Sequence, residues 1–189
     1  MPRIITVDVE KCLGCHSCEM ACAVAHSGTA NLFEAIQQRP QPQTRVTVLL
    51  AGNAPVPLQC RHCEDAPCVE ICPSHALQKP DVEGPVTIRQ ELCIGCKSCI
   101  IVCPFGVIGM SQDGKTVVKC DLCIERTEQG EQPACVEACP TQALALKDVD
   151  EVAAERRKLA AGQLAAGFDK RRESLRSALQ LLDSGSDER

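Results

Sequence analysis

Sixteen of the 189 residues are cysteine, and they fall into four groups of four with none left over. Group one is Cys12, Cys15, Cys18 and Cys22; group two is Cys60, Cys63, Cys68 and Cys72. Group three is Cys93, Cys96, Cys99 and Cys103; group four is Cys120, Cys123, Cys135 and Cys139. Thiolates at C-x2-C spacing are ligands for soft metals and inorganic clusters. Groups one and three have the run C-x2-C-x2-C-x3-C, which binds a [4Fe-4S] cube through three cysteines while the fourth reaches a neighbouring cube. Three thiolates must converge on three corners of one small cube, so the backbone has to curl tightly. Gly14 and Gly95 supply the positive φ for that curl and let amide N–H groups approach sulfur. Groups two and four keep the C-x3-C-P ending, at Cys72-Pro73 and Cys139-Pro140, after a longer third step. At four ligands per cube, the cysteines provide for four [4Fe-4S] clusters. Structural zinc is the alternative, although a tetrahedral site has no need of the third cysteine at the next x2 step.

The groups repeat. Cys12-Leu13-Gly14-Cys15-His16-Ser17-Cys18 matches Cys93-Ile94-Gly95-Cys96-Lys97-Ser98-Cys99, and Cys68-Val69-Glu70-Ile71-Cys72-Pro73 matches Cys135-Val136-Glu137-Ala138-Cys139-Pro140. A duplicated unit follows, spanning roughly 12–77 and 93–144. Aromatics are almost absent, with three Phe and neither Trp nor Tyr. A core built from such side chains is weak for this length, so the clusters must staple the fold. The net charge of −5 and pI of about 5.4 argue against nucleic-acid binding, which needs a basic face. No apolar run is long enough to insert in a membrane. The first apolar stretch is broken at Asp8, so no export signal is expected and the cytoplasm is the expected location. There, thiols stay reduced and disulfides are disfavoured. Each oxidised cube with its thiolates adds about −2, so buried N–H donors and cations are needed beside them. Arg61, Lys97 and Lys119 are candidates for that role, or else ordinary surface charges.

The elements that must position these groups are short. Strands are expected at Arg3–Val9, Thr44–Leu50, Val86–Ile88 and Thr116–Val118, and helical turns between the last two cysteines of each group. Pro73, Pro104 and Pro140 would stop three of those turns. The least constrained connection is Ser27–Leu58, with Pro40, Pro42, Pro55 and Pro57. After Asp148 cysteine and proline vanish, and Leu164, Phe168, Leu175, Leu179 and Leu182 recur with helical spacing. Gly162 and Gly167 are expected to weaken that helix or split it in two, and the end from Ser184 to Arg189 to fray. The fold class is therefore α+β: tandem or interleaved ferredoxin-like cluster-binding units over residues 1–147, and a helical C-terminal extension over 148–189. His16 and His62 lie inside cysteine groups, but cysteine already fills the ligand count. His26 and His75 show no partner pattern.

Residues 3–147 resemble the four-cluster ferredoxin-like electron-transfer subunits of bacterial oxidoreductases. These include the iron-sulfur subunits of dimethyl sulfoxide reductase, formate dehydrogenase and formate hydrogenlyase. The stretch Lys119-Cys120-Asp121-Leu122-Cys123 through Pro133-Ala134-Cys135-Val136-Glu137-Ala138-Cys139-Pro140-Thr141 carries most of the resemblance. Cys18-Glu19-Met20-Ala21-Cys22-Ala23-Val24-Ala25-His26 is most similar to the subunit associated with carbon monoxide dehydrogenase, and similar subunits accompany tungsten-dependent aldehyde oxidoreductases. The resemblance implies one cluster on Cys12, Cys15, Cys18 and Cys139, and its neighbour on Cys120, Cys123, Cys135 and Cys22. It implies a third on Cys60, Cys63, Cys68 and Cys103, and a fourth on Cys93, Cys96, Cys99 and Cys72. Pairing of consecutive groups is the competing arrangement, and spacing alone leaves both open. The resemblance further implies a non-catalytic polyferredoxin that passes single electrons between a catalytic oxidoreductase subunit and a second redox partner. The absence of any phosphate loop, catalytic triad or dinucleotide fingerprint agrees with that. A free soluble polyferredoxin is the alternative. The C-terminal stripe is expected to pack on its own domain, or to dock a partner or a second copy through the helix at 149–182.

Overall fold

The structure, a computed structural model, describes residues 3–29 and 31–184, with side chains described through residue 176. The first unit, up to Asp148, opens with β1 (Arg3–Val7), a 3-10 turn at Val9–Lys11, α1 (Ser17–Ala25) and α2 (Leu32–Gln37). The pair β2 (Thr47–Ala51) and β3 (Ala54–Leu58) follows, then α3 (Pro67–Glu70), β4 (Leu77–Gln78) and β5 (Thr87–Ile88). A second 3-10 turn at Gln90–Leu92 leads to α4 (Ser98–Val102), β6 (Gly109–Met110) and β7 (Val117–Val118). The unit closes with α5 (Ile124–Glu128), α6 (Ala134–Glu137) and β8 (Leu144–Asp148).

Four helices, α1, α3, α4 and α6, sit where a C-x3-C step demands a turn. The helices α3, α4 and α6 stop before Cys72-Pro73, Cys103-Pro104 and Cys139-Pro140, because proline cannot continue them. Group one has Ala23 in the corresponding place, and α1 runs on past Cys22 to Ala25. The strand β1 pairs antiparallel with β8, Arg3 opposite Asp148 and Val7 opposite Leu144, which brings group one beside group four. The helix α1, carrying Cys18 and Cys22, packs on α6, carrying Cys135; α3, with Cys68, packs on α4, with Cys99. Packing therefore joins group one to four and group two to three, whereas the sequence repeat runs from one to three and from two to four. The two 3-10 turns, like α3 and α6, occupy matching places in that repeat.

Two small cores result. One gathers Ile5, Val46, Leu122 and Leu144 with Cys18, Cys22 and Cys135. The other gathers Leu77, Val86, Ile108 and Val117 with Cys68 and Cys99. Ile5 and Val86 are repeat equivalents, as are Leu77 and Leu144. Cysteine makes up a large share of both, as the thin apolar composition requires.

Several sequence expectations need correction. The strand begun at Arg3 ends at Val7, and Val9 enters the 3-10 turn. The connection 27–58 holds α2, capped by the Asn31 side chain on the amides of Phe33 and Glu34, and the strand β3 despite Pro55 and Pro57. The prolines are tolerated because β3 pairs on one side only, with β2. The long third step of group four contains α5.

The second unit is α7 (Val149–Ser184), 36 residues and about 54 Å long at ~1.5 Å per residue. It is continuous through Gly162 and Gly167, so of the two expected outcomes, weakening or splitting, the split does not occur. Each glycine costs only about 1 kcal/mol among strong helix formers. Leu164, Phe168 and Leu175 are exposed; the side chains of Leu179 and Leu182, and residues 185–189, lie outside the described residues. No described helix is long and apolar enough to cross a membrane.

Candidate metal centres

The tight curls around the cysteines are built from left-handed residues in matched pairs. Gly14 and Gly95 have φ of 65° and 66°, as the spacing predicts. Sequence reading missed the others, because they are not glycine. His16 and Lys97 precede the helices α1 and α4; His62 and Leu122 lie within the C-x2-C steps of groups two and four; His75 and Gln142 follow the C-P endings. All six have φ between 49° and 68°, as has Cys123 at 49°, which lacks a left-handed counterpart at Cys63. Their repetition at equivalent positions is the signal that would have found them.

One cavity of about 310 Å3, counted out to solvent, is lined by Cys12, Cys15, Cys18 and Cys139. A second, of about 300 Å3, is lined by Cys93, Cys96, Cys99 and Cys72. Cys15 and Cys96 are exposed in these two places. Of the other eight cysteines, Cys22, Cys68, Cys120, Cys123 and Cys135 are buried and Cys60, Cys63 and Cys103 half-buried. Burial pushes the Cys135 thiol strongly up, and the nearby Cys120, Cys22, Cys123 and Cys18 add to it. Burial likewise raises Cys60, with Cys63 and Cys103 adding to the effect. It pushes Cys68 up to about 11, with Cys60 and Cys103 again contributing. Cys120 is pushed up to about 12 by burial, with Cys22 and Cys60 adding to it. Packing gathers Cys22 with Cys135 in one core, and Cys63 and Cys103 with Cys68 in the other. It also sets Cys60 within electrostatic reach of Cys120.

Amide N–H groups converge on the sulfurs. The amides of His62 and Leu122, repeat equivalents, each donate to sulfur at 3.4 Å, on Cys60 and Cys120 respectively. The Arg45 amide donates to Cys22 Sγ at 3.2 Å. Burial opposes the Cys72 thiolate, but donors from Leu77, Ser74 and Ala76 outweigh it and lower the thiol. Leu144, Thr141 and Ala143 do the same for Cys139. Such donors stabilise a charged, thiolate-ligated group and set its potential.

The histidines divide as follows. His16 is exposed and meets Glu19 at 2.9 Å. His62 is 9% exposed; its Nδ1 accepts the Val86 amide at 3.0 Å, and burial, then the Lys119 charge, pushes the imidazole down to about 3. The neutral ring therefore carries its proton on Nε2, which is buried without a hydrogen-bond partner. A buried donor left over on a residue between Cys60 and Cys63 suits an acceptor that the protein itself does not supply, such as cluster sulfide. His26 corrects the sequence reading, which gave it no partner. Its Nε2 meets Asp121 Oδ1 at 3.2 Å, its Nδ1 meets Cys22 O at 2.7 Å, and Arg45 pairs with the other Asp121 oxygen. Burial opposes the His26 cation, but hydrogen bonds with Asp121, Cys123 and Cys22 raise it to about 12. The three candidate cations also separate: Lys97 is exposed, Arg61 donates to Ile5 O at 3.2 Å, and Lys119 is wholly buried. Sixteen clustered cysteines, soft in character and with N–H donors on several of their sulfurs, are suited to holding multiple [4Fe-4S] clusters.

Comparison with known proteins agrees. The 4Fe-4S dicluster domain matches residues 53–149, and a 4Fe-4S binding domain matches residues 9–25. An iron-sulfur protein of Rhodospirillum rubrum is 45% identical over 78% of this chain and 83% of its own length. The putative electron transport protein YsaA of Escherichia coli is 42% identical, over 80% of this chain and 94% of its own. The putative oxidoreductase UacF of the same organism is 42% identical over 86% of this chain, but over only 25% of its own length. With the dicluster domain covering half its length and relatives of this identity spanning most of the rest, the chain belongs to the ferredoxin-like 4Fe-4S dicluster family of iron-sulfur electron-transfer proteins.

Proposed function

We propose that the chain is a polyferredoxin subunit of an oxidoreductase complex, relaying single electrons through four [4Fe-4S] clusters between a catalytic subunit and a second redox partner. The first ligand set is Cys12, Cys15, Cys18 and Cys139; the second is Cys120, Cys123, Cys135 and Cys22. The third is Cys60, Cys63, Cys68 and Cys103; the fourth is Cys93, Cys96, Cys99 and Cys72. When bound, each cube supplies a one-electron couple. The chain's own residues fix the order of the sets, surround them with donors and limit water.

The observation that carries this reading is the gradient of exposure across the four sets. Sets one and four each include an exposed cysteine and line an open cavity. Beside them Leu13 is 72% and Ile94 67% exposed, apolar residues at equivalent places in the two cysteine loops. Sets two and three include no exposed cysteine, and the charges of Cys120 and Cys60 reach each other. The order is therefore set one, set two, set three, set four, with an exposed end for each partner. UacF, in which a sequence like this one makes up about a quarter of a putative oxidoreductase, supports a catalytic partner. Resemblance favours a partner of the carbon monoxide dehydrogenase, tungsten aldehyde oxidoreductase or formate dehydrogenase type. In this reading residues 1–147 form the cluster region, and α7 docks the complex or a second copy.

Anaerobic isolation from the native host tests this. A co-purifying oxidoreductase should reduce the clusters when given its substrate, and Leu13→Glu and Ile94→Glu should each slow exchange with a different partner. Isolation without a partner, or identical effects of both substitutions on both exchanges, contradicts the relay.

A further inference from the structure

We propose that Lys119 holds a fixed positive charge between the two inner clusters and sets their reduction potentials together. This rests on the four-cluster reading above. Lys119 is 1% exposed and is the largest fully buried side chain among the described residues. Its Nζ donates to the carbonyl of Val86 and, at 2.6 Å, to that of Cys120. Among the described residues no carboxylate lies within ion-pair distance of it. The adjacent Asp121 is already engaged by His26 and Arg45. A buried ammonium without an anionic partner is costly. Once they ligate a cluster, Cys60 and Cys68 of one inner set and Cys120 of the other become the anions within reach of its charge.

The internal repeat separates the charge from the hydrogen bond. Cys60 and Cys120 open equivalent groups, so Gln59 stands where Lys119 stands. Gln59 is also buried, and its Nε2 donates to Ile5 O at 3.2 Å. Ile5 is the repeat equivalent of Val86, whose carbonyl takes the Lys119 bond. A neutral amide thus suffices for the bond to the strand, and the cation is what position 119 adds. The Val86 peptide ties the junction together, with its N–H on His62 and its C=O on Lys119. Reduction of a cube adds a negative charge, which a nearby unscreened cation favours.

The test is Lys119→Gln, which copies the arrangement already present at position 59, in the anaerobically loaded full chain. Potentials are read by electron paramagnetic resonance during redox titration. Two of four centres should become at least tenfold harder to reduce, a drop of 59 mV or more for one electron. The other two should stay, and Lys97→Gln, at an exposed site by an outer set, should shift none by as much. Unchanged potentials, or four equal shifts, overturn the proposal. Lys119→Met carries the same test if the glutamine variant does not load. If neither variant loads, the lysine is structural and the proposal falls. Fewer than four reducible centres in the unsubstituted protein would instead refute the relay reading.

Discussion

Gly14 and Gly95 occupy equivalent places in the repeat, yet alanine should damage them unequally. Both have φ near +65°, so either substitution forces a Cβ into the left-handed region at a cost of about 1–2 kcal/mol. At Gly14 the new Cβ would lie 3.2 Å from Pro55 Cβ, a contact that a few tenths of an ångström relieve. At Gly95 it would lie 2.5 Å from the Lys115 carbonyl oxygen, which is backbone and cannot swing aside. Overpacking of that kind adds about 1–3 kcal/mol. The difference, about 2 kcal/mol, is about 1 M in urea midpoint for a slope near 2 kcal/mol per M. The assay is anaerobic urea unfolding followed by loss of cluster absorbance. Gly95→Ala should unfold about 1 M earlier than Gly14→Ala. Equal midpoints would mean that the chain between Gly95 and Lys115 is not packed as described.

Other predictions address the ligands and the helix. Cys72→Ser should remove the same paramagnetic centre as Cys96→Ser, and Cys139→Ser the same one as Cys15→Ser; loss of matching centres within consecutive groups instead would contradict the crossed packing. His26→Ala and Asp121→Asn, measured singly and together at pH 7, should show a coupling of about 1–3 kcal/mol, since the pair is largely buried and Arg45 shares it; additive effects would show the contact to be idle. Stripping iron anaerobically with a chelator should abolish the tertiary structure of residues 3–148, because cysteine fills much of both cores; an apo protein whose core amides stay protected from hydrogen exchange would refute that. Deleting residues 149–189 should reduce the assembled mass seen by light scattering if α7 is a docking surface, and unchanged mass would exclude it.

Much of the site was legible in the sequence because ligand spacing is a strong geometric constraint. Groups of cysteines separated by x2 and x3 steps require a curl and then a helical turn, and α1, α3, α4 and α6 stand there. What remained hidden depends on contacts distant in sequence. His26 finds Asp121 across 95 residues, and no local pattern announces it. The strand β3 was hidden by Pro55 and Pro57, whose usual meaning is overridden by one-sided pairing. The left-handed His16, His62, Lys97 and Leu122 break local preference because cysteines anchor the chain on either side, whereas His75 and Gln142 lie just after the C-P endings. Lys119 was visible only as a charge beside Cys120; its burial, and the matching neutral Gln59, emerge from packing. Continuity of α7 through two glycines reflects the strength of the surrounding helix formers against a modest cost.

The central claim is that sixteen thiolates hold four reducible cubes in one chain. Reductive titration of anaerobically prepared protein, counted against iron, sulfide and zinc on the same sample, tests it most directly. The account predicts about sixteen irons with equal sulfide and four electrons taken up per chain. Zinc in place of iron, or uptake of two electrons or fewer by fully loaded protein, would contradict it.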